Sequence, residues 1–358
     1  MTEQSKWVII TGSGRSGTSS VGGTLKRLGL HIPQPEVEAD EKNPRGYYEP
    51  AWLAALLKDF MDPIPVRTID SRPTAPQVAM EALAETGIED QLREWLRDLR
   101  VHPQVAIKDT RAYWVYPMFV RLADELGAEL TSLTMLRHPT EVVRSRETAY
   151  LSGQSKQFRQ ERETTNVAAW MNAAFETERV TRGHARAFVR YPDLRSDWRE
   201  AMSRAGEQLG LTYDADLSRD EHHPVDDFID AGLHRSRVTW DDIDVAPALK
   251  EMAEQVWTAM NTLVPSPHDE SAIADLERLR EEYVELYSFA AAMAQDERTA
   301  QVVAVRREMR TRIDQKQARI DELKVELKQA RRSGPPVEDA RPSWQPLFER
   351  AVGRLRRR

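Results

Sequence analysis

A loop rich in glycine and serine follows the first apolar run of the chain and has the composition of an anion-binding loop. It reads Thr11-Gly-Ser-Gly-Arg-Ser-Gly-Thr-Ser-Ser20 and separates a predicted strand over residues 7–11 from a predicted helix over residues 21–28. Glycines allow backbone N–H groups to curl around an anion, and the N-terminus of the following helix adds its dipole and its unpaired donors. The order of strand, loop and helix therefore predicts a binding site for a phosphate group.

The same loop differs from that of nucleoside triphosphatases at one position that matters for their chemistry. Gly12 and Gly17 have the spacing of a P-loop, but Thr18 stands where those enzymes have a lysine. That lysine neutralises the β- and γ-phosphates and the next hydroxyl holds Mg²⁺, whereas here the basic residue is Arg15 and hydroxyls follow at Thr18 and Ser19. The pattern disfavours ATP hydrolysis, and a P-loop kinase or nucleotide hydrolase stays the alternative interpretation.

Polar side chains also follow three further apolar runs, at the points where those runs end. Lys108, Arg137 and Tyr191 each come directly after such a run. In open α/β sheets, ligands bind beyond the carboxyl ends of the strands. We therefore expect these side chains to face one crevice together with the glycine-rich loop.

Short apolar runs that alternate with amphipathic stretches set the predicted fold. Such runs are too short for helices and are typical of strands buried on both faces of a parallel sheet. With helical patterns between them, they predict an α/β protein with a doubly wound parallel sheet of the P-loop-like kind. The predicted strands cover residues 7–11, 105–107, 130–136 and 187–190, with a shorter candidate near 30–32.

Two helices of this domain are predicted from apolar spacing and from capping residues. One covers residues 196–209, with Ser196 as its N-cap and Gly210 just past its end. The other has an apolar stripe at helical spacing, which is typical of a helix packed on a sheet. The stripe consists of Val167, Trp170, Met171, Ala174 and Phe175.

Two separated motifs resemble those of the sulfotransferases that use 3′-phosphoadenosine-5′-phosphosulfate (PAPS). They are Gly14-Arg-Ser-Gly-Thr-Ser19 and Arg137-His-Pro-Thr-Glu-Val-Val-Arg-Ser145, and the resemblance covers residues 7–263. It implies that the 3′-phosphate is held by Arg137 and by Ser145, eight positions further on. It also implies a loop that holds the 5′-phosphosulfate, formed by Gly14, Arg15, Ser16, Gly17, Thr18 and Ser19.

Two shorter segments are also similar to this family. Tyr191, within Arg190-Tyr-Pro-Asp-Leu194, resembles a family tyrosine near the adenosine, and Asn43-Pro-Arg-Gly-Tyr-Tyr-Glu49 is similar to a stretch in bacterial members. Arg235 is a further candidate for reaching the nucleotide, and a solvated loop arginine is the other interpretation of it. The resemblance implies PAPS as co-substrate and no metal ion.

The base that sulfuryl transfer needs is not obvious in the sequence. Many family members place a catalytic histidine in a Lys-Thr-His segment, but the matching residues 108–110 read Lys-Asp-Thr. Transfer requires in-line placement, charge stabilisation on the leaving phosphate and a base for the acceptor. Glu49 is the first candidate base and Asp109 the second, while Lys108 would donate to the leaving group and Arg15 would supply charge. Alternatively, Glu49 is only an acidic residue at a helix start, and Asp109 only the partner of a nearby arginine.

Composition excludes several classes of protein. The 358-residue chain has no cysteine, which excludes thiolate zinc sites and cysteine nucleophiles and favours a reducing compartment. A formal net charge of −7 argues against nucleic acid as a partner. We find no leader segment and no apolar run near the ~20 residues that span a bilayer, so a cytoplasmic protein is predicted. The expected acceptor is a hydroxyl or amine of a glycan, lipid or small molecule.

The chain is predicted to contain an α/β domain over residues 1–265, a helical arm over 270–332 and a basic flexible tail over 333–358. Apolar residues of the arm step by three and four in two phases that do not join in register, and Arg306 and Lys316 interrupt the second phase. A coiled coil that joins two copies, a two-helix hairpin and a helix packed on the domain all fit this pattern. A third interpretation of function is a catalytically degenerate nucleotide-binding platform for the arm.

Overall fold

The computed structural model describes residues 4–41, 43–84, 86–150, 153–229 and 238–333. Contacts divide the chain into two compact units, with the division between Ser288 and Phe289. The first unit contains a β-sheet covered by helices, and the second is helical over its described residues. All of the residues that carry the predicted chemistry belong to the first unit.

A parallel sheet lies at the centre of the first unit. Its strands follow the order β2-β1-β3-β4, and every neighbouring pair is parallel. Trp7 of the first strand is in register with Val105 on one side and Leu130 on the other. The candidate strand near residues 30–32 contributes only an isolated bridge between His31 and Val105. The strands are β1 (Lys6–Thr11), β2 (Gln104–Lys108), β3 (Glu129–Leu136) and β4 (Ala185–Arg190).

Helices cover the sheet and continue to the end of the described chain. Two short 3-10 helices, at Ala112–Val115 and Trp240–Asp242, accompany them. The α-helices of the described residues are α1 (Thr18–Arg27), α2 (Ala51–Met61), α3 (Ala75–Ala84), α4 (Ile88–Leu99), α5 (Tyr116–Leu126), α6 (Pro139–Tyr150), α7 (Lys156–Thr181), α8 (Tyr191–Ser196), α9 (Trp198–Leu209), α10 (Pro224–Phe228), α11 (Pro247–Thr262), α12 (Glu270–Met293) and α13 (Gln295–Ser333).

Both faces of the sheet are buried, because successive side chains of a strand point to opposite faces. Trp7 and Ile9 of β1 belong to one apolar cluster, which includes residues of α2, α4 and α5. Val8 and Ile10 belong to another, which includes residues of α1 and α9. The predicted α/β class with a doubly wound parallel sheet is confirmed by this arrangement.

The strand order creates a crevice at the carboxyl edge of the sheet. Since β2 lies on one side of β1 and β4 lies on the far side of β3, the connections that leave the carboxyl ends of β1 and β3 diverge. Such a switch point is where open α/β sheets bind ligands. The glycine-rich loop follows β1 and Arg137 follows β3, so the two motifs lie on either side of this crevice.

The predicted apolar stripe of one helix is confirmed, whereas the predicted N-cap of the other helix is wrong. The apolar stripe of α7 is buried as predicted, with Ala174 only partly so. The prediction of Ser196 as an N-cap is wrong, because Ser196 is the last residue of the separate helix α8. Asp197 caps α9 instead, its carboxylate accepting from the Glu200 amide at 3.0 Å. Gly210 ends α9 in the left-handed conformation, at φ 60°, as predicted.

The region predicted as a helical arm consists of two helices, α12 and α13, on either side of Ala294. Leu276, Leu279 and Tyr283 of α12 are at most 2% exposed and pack in a cluster with residues of α7 and α11. The compact first unit therefore extends to Ser288, past the boundary predicted near residue 265. Residues 334–358 of the predicted tail lie outside the described residues.

The second unit presents apolar side chains that its own described residues do not cover. The second-phase residues of α13 are between 46% and 65% exposed: Met309, Ile313, Ile320, Leu323 and Leu327. No helix in the described ranges combines the length and the apolar character that crossing a membrane requires.

Candidate functional site

The glycine-rich loop adopts a conformation that only glycine fits at two positions. Gly12 and Gly17 have φ values of 128° and 98°, in the region that L side chains rarely adopt. A Cβ on Gly12 would lie 2.7 Å from the Met135 carbonyl oxygen, and one on Gly17 would lie 2.3 Å from the Tyr191 ring. Gly17 is also the N-cap residue of α1. The loop therefore ends at a helix N-terminus, as the sequence predicts.

Two hydroxyl groups in this loop are buried without a hydrogen-bond partner among the described residues. They are the Oγ atoms of Ser13 and Ser16. Buried polar atoms in proteins are nearly always paired, and an unpaired one calls for a ligand, an ion or water. An anion seated in the loop would accept from such hydroxyls, so the loop fits the phosphosulfate end of the nucleotide that the resemblance implies.

The two family-like motifs contact each other directly. The Arg15 Nε donates to Ser145 Oγ on α6 at 3.1 Å, and the Arg137 Nη1 donates to the Arg15 carbonyl at 3.1 Å. The Arg137 guanidinium also stacks on the Tyr191 ring, 4.6 Å from its centroid. The structure thus brings together Arg15, Arg137, Ser145 and Tyr191, which the sequence assigned to one nucleotide.

Arg137 is held in place by the helix that follows it. Its Nε donates to Glu141 Oε2 at 2.8 Å, in the first turn of α6. Its Nη1 donates to the Arg15 carbonyl, and the face of the guanidinium lies over the Tyr191 ring. A fixed guanidinium fork suits an anion such as phosphate.

The segment that resembles a bacterial stretch also reaches the loop. The Asn43 Nδ2 donates to Ser19 Oγ at 3.2 Å. Tyr48 has a φ of 56°, which is unusual for an aromatic residue, and its hydroxyl accepts from Arg27 Nη1 at 3.3 Å. This turn directs the next residue, Glu49, toward the end of β2.

Glu49 forms an ion pair with Lys108 at the carboxyl end of β2. The Lys108 Nζ lies 2.6 Å from Glu49 Oε1, and the two side chains are 2% and 15% exposed. Burial raises the pKa of Glu49 above its usual range, with Asp109 adding to the shift and Lys108 opposing it. The site therefore holds a carboxyl group whose protonated form is favoured by burial, next to the buried amino group of Lys108.

Asp109 is bound on both carboxylate oxygens by one residue. The Arg111 Nε and backbone N–H donate to Oδ1 at 2.9 and 2.7 Å, and Arg111 Nη2 donates to Oδ2 at 2.7 Å. The Asp109 side chain is 1% exposed. This geometry matches the alternative prediction of an ion-pair partner, and it leaves Glu49 as the better placed of the two candidate bases.

Three further residues that the sequence assigned to the site are Thr18, Gly14 and Arg235. Thr18 is the first residue of α1 and is buried, and Gly14 lies beside the Arg146 guanidinium. A Cβ on Gly14 would be 3.4 Å from Arg146 Nη1. Arg235 lies outside the described residues. Arg146, one residue after the motif that ends at Ser145, was not predicted as part of the site.

Two cavities flank this region. The larger, of about 660 Å³, is lined by Arg195, Trp198, Arg199 and Asp226 among others, and the Arg195 guanidinium lies 5.8 Å from the Tyr191 ring. The smaller, of about 310 Å³, includes Arg111 and Arg146 in its lining. Sequence reasoning missed both, because their walls come from segments far apart in the chain.

The sequence matches no protein-family model and no curated protein. Two solved structures that the chain resembles are sulfotransferase domains, the family that its two motifs resemble. The domain from the Synechococcus PCC 7002 olefin synthase is 18% identical with a TM-score of 0.38, over 79% of this chain and 96% of that domain. The domain from the curacin biosynthetic pathway is 14% identical with a TM-score of 0.35, over 78% and 98% respectively. At these values, the function has to be argued from the site residues.

Proposed function

We propose that the protein is a sulfotransferase that moves the sulfuryl group of PAPS to a hydroxyl or amine of an acceptor. The observation that carries the proposal is the contact between the two motifs, in which Arg15 donates to Ser145 and Arg137 donates to the Arg15 carbonyl. These residues come from the ends of β1 and β3, at the switch point of the sheet. A nucleotide with phosphates at both 3′ and 5′ positions would engage both motifs at once.

Each part of the loop has a role in this proposal. The 5′-phosphosulfate lies against Gly14, Ser16, Gly17, Thr18 and Ser19, where the N-terminus of α1 and the unpaired Ser16 hydroxyl supply donors. Arg137 and Ser145 hold the 3′-phosphate, and Tyr191 packs near the adenosine. Arg235 is proposed as a further contact of the nucleotide.

The reaction requires one proton transfer and one displacement. The donor supplies a sulfuryl group whose S–O bond to the 5′-phosphate breaks as the acceptor oxygen or nitrogen bonds to sulfur. Glu49 takes the acceptor proton, and Lys108 and Arg15 stabilise the negative charge that develops on the 5′-phosphate oxygen. Asp109 orients Arg111 beside this pair.

The Glu49–Lys108 pair suits these roles because one member can take up a proton and the other can stabilise negative charge. Glu49 accepts a proton, and burial favours its protonated form. A general base works best when its pKa lies near the working pH, so a raised carboxylate pKa helps this step. Lys108, almost fully buried, is a fixed point charge for the leaving oxygen.

The wider setting belongs to the same proposal. The acceptor is a glycan, lipid or small molecule, and the enzyme works in the cytoplasm, which a chain without cysteine favours. A kinase or hydrolase is less well supported because Thr18 replaces the phosphate-binding lysine. A catalytically degenerate nucleotide-binding platform is less well supported because Glu49 and Lys108, the proposed base and cation, form a buried ion pair.

Calorimetric titration with 3′-phosphoadenosine-5′-phosphate (PAP), the product nucleotide, tests the proposal without an acceptor. We expect PAP to bind and ATP with Mg²⁺ to bind more weakly under the same salt. Arg137→Ala should weaken PAP binding, while Arg121→Ala, which removes an exposed arginine paired with Glu89, should not. Tighter binding of ATP with Mg²⁺, or PAP binding that survives Arg137→Ala unchanged, would overturn the proposal.

A further inference from the structure

The smaller cavity, of about 310 Å³, is strongly basic. Asp62 of the lining is paired with Lys58 at 2.6 Å on the exposed rim, and Arg111 is paired with Asp109 at 2.7 Å, so the charge that is left to balance is that of Arg67. Apolar side chains form the rest of its wall. The lining consists of Lys58, Met61, Asp62, Val66, Arg67, Thr68, Ile69, Arg111 and Arg146.

Arg67 is the least neutralised group of this cavity. Among the described residues, its guanidinium makes no hydrogen bond or ion pair, and neither does that of nearby Arg162 on α7. Burial lowers the pKa of Arg67, and the charge of Arg162 lowers it further. Burial likewise lowers the pKa of Arg162. The Asp70 carboxylate, which opposes the pKa shift of Arg67, is itself paired with Arg72 at 2.7 Å, and a half-buried charge without an anion bound to it is costly.

The segment that carries Arg67 is rigidly held. The Asp70 carboxylate accepts from the Arg67 amide at 3.1 Å and from Arg72 Nη2 at 2.7 Å. The Thr68 carbonyl accepts from the Tyr113 hydroxyl at 2.8 Å and from the Trp114 Nε1 at 3.2 Å. The backbone beneath the Arg67 side chain is thus fixed by buried donors and acceptors, which is the arrangement of a built binding site.

The cavity adjoins the proposed reaction centre on two sides. Arg111 lines it and holds Asp109, the residue after Lys108. Arg146 also lines it and lies beside Gly14 of the phosphate-binding loop. A molecule seated in the cavity would therefore present its outer end between Lys108 and the loop.

We propose that this cavity binds an anionic group of the acceptor, such as a carboxylate or a phosphate ester, through Arg67. The acceptor is then a hydroxyl- or amine-bearing molecule with an acidic end and a short apolar stretch, which Met61, Val66 and Ile69 contact. This inference rests on the proposed function for the identity of the reacting group. Binding of the anion itself does not depend on it.

The test uses inorganic phosphate and acetate as probes on the full chain, first saturated with PAP so that the loop is occupied. Thermal unfolding is followed at constant ionic strength while chloride is exchanged for the probe. A ligand that binds only the folded state raises Tm with its concentration. We expect either probe to raise the Tm of the wild type, and we expect Arg67→Gln to weaken the apparent affinity by about tenfold or more.

Arg121→Gln, an exposed arginine outside the cavity, is the matched control and should respond as the wild type does. Equal responses of wild type and Arg67→Gln, or no response of the wild type, would overturn the inference. A third arm separates it from the proposed function. If Arg137→Ala loses PAP binding but keeps an Arg67-dependent phosphate response, both proposals stand. If the wild type does not bind PAP but keeps that response, only the proposed function fails.

Discussion

The Lys108 ammonium lies 2.6 Å from the Glu49 carboxylate, although the two residues are 59 positions apart in the chain. Lys108 ends β2, an outer strand of the sheet, and Glu49 precedes α2. The pair is nearly closed to solvent, so each charge depends on the other. This contact places a base and a cation where the proposed transfer needs both.

Removal of Lys108 should destabilise the protein unless Glu49 is also neutralised. Lys108→Met leaves a buried carboxylate without its partner, a change that costs about 3–5 kcal/mol in buried pairs. The double variant Lys108→Met with Glu49→Gln should recover most of that loss, as urea unfolding of all four proteins would measure. Lys58→Met, which removes an exposed partner of Asp62, is the control and should leave stability unchanged within error. Additive losses in the cycle would contradict the coupling.

The stability difference between wild type and Glu49→Gln should depend on pH. Burial raises the pKa of Glu49 above its ordinary value of 4.5, so folding favours the protonated form. The contribution of this group is therefore complete below the pKa of the unfolded state and is lost as pH rises through the pKa of the folded state. We expect the difference in unfolding free energy, wild type minus variant, to fall with rising pH across that window. A difference that is flat or rises with pH would refute the assignment.

Turnover should respond to the same titration in the opposite sense. Glu49 acts as a base only as a carboxylate, so kcat/KM should rise as pH passes through its pKa. Glu49→Gln should lower kcat by roughly 10²–10⁴-fold, the usual contribution of a general base. Its affinity for PAP, measured by calorimetry, should stay within about twofold of the wild type. Activity retained in Glu49→Gln would assign the base to another residue.

Gly17 of the loop should not tolerate a side chain, whereas a glycine outside the site should. Gly17→Ala adds a Cβ at a φ of 98° and 2.3 Å from the Tyr191 ring, so we expect it to weaken PAP binding and lower Tm. Gly183→Ala is the matched control, because none of the described atoms lies within 4 Å of its Cβ. Circular dichroism melts and PAP titrations would compare the two. Equal tolerance would contradict the observed loop conformation.

Self-association through α13 stays a prediction. Ile313, Ile320 and Leu327 recur every seven residues and are about half exposed in the second unit. If they form a seam between two copies, sedimentation equilibrium should give twice the mass of one chain, and Ile320→Glu should restore a single-chain mass. Lys328→Glu, outside the seam, is the control. A single-chain mass for the wild type would remove this prediction.

Much of the sheet and of the proposed nucleotide site could be predicted from the sequence. Strand ends and glycine positions are local patterns, so the loop and the places of Lys108, Arg137 and Tyr191 followed from them. The closeness of the two motifs also followed, because they come after neighbouring strands, but the direct hydrogen bond from Arg15 to Ser145 was not predicted.

Features that depend on packing between distant segments could not be predicted. Ser196 and Asp197 are both good N-cap residues, and only the separate helix α8, which begins near Pro192, decides between them. Leu276 and Tyr283 fit a coiled-coil seam as well as a core, since the two have similar spacing. Arg67 carries no motif, and its place in the cavity follows only from the folded segments that line it.

The affinity difference between PAP and adenosine 5′-phosphate tests the central claim most directly, because the two nucleotides differ only in the 3′-phosphate. Charge-assisted hydrogen bonds contribute about 1.5–3 kcal/mol, so wild type should prefer PAP by roughly 10- to 150-fold. Arg137→Ala should remove most of this preference and Ser145→Ala part of it, while binding of adenosine 5′-phosphate changes little. Equal affinities for the two nucleotides in the wild type, or a preference that survives Arg137→Ala, would contradict the assignment of this site to PAPS.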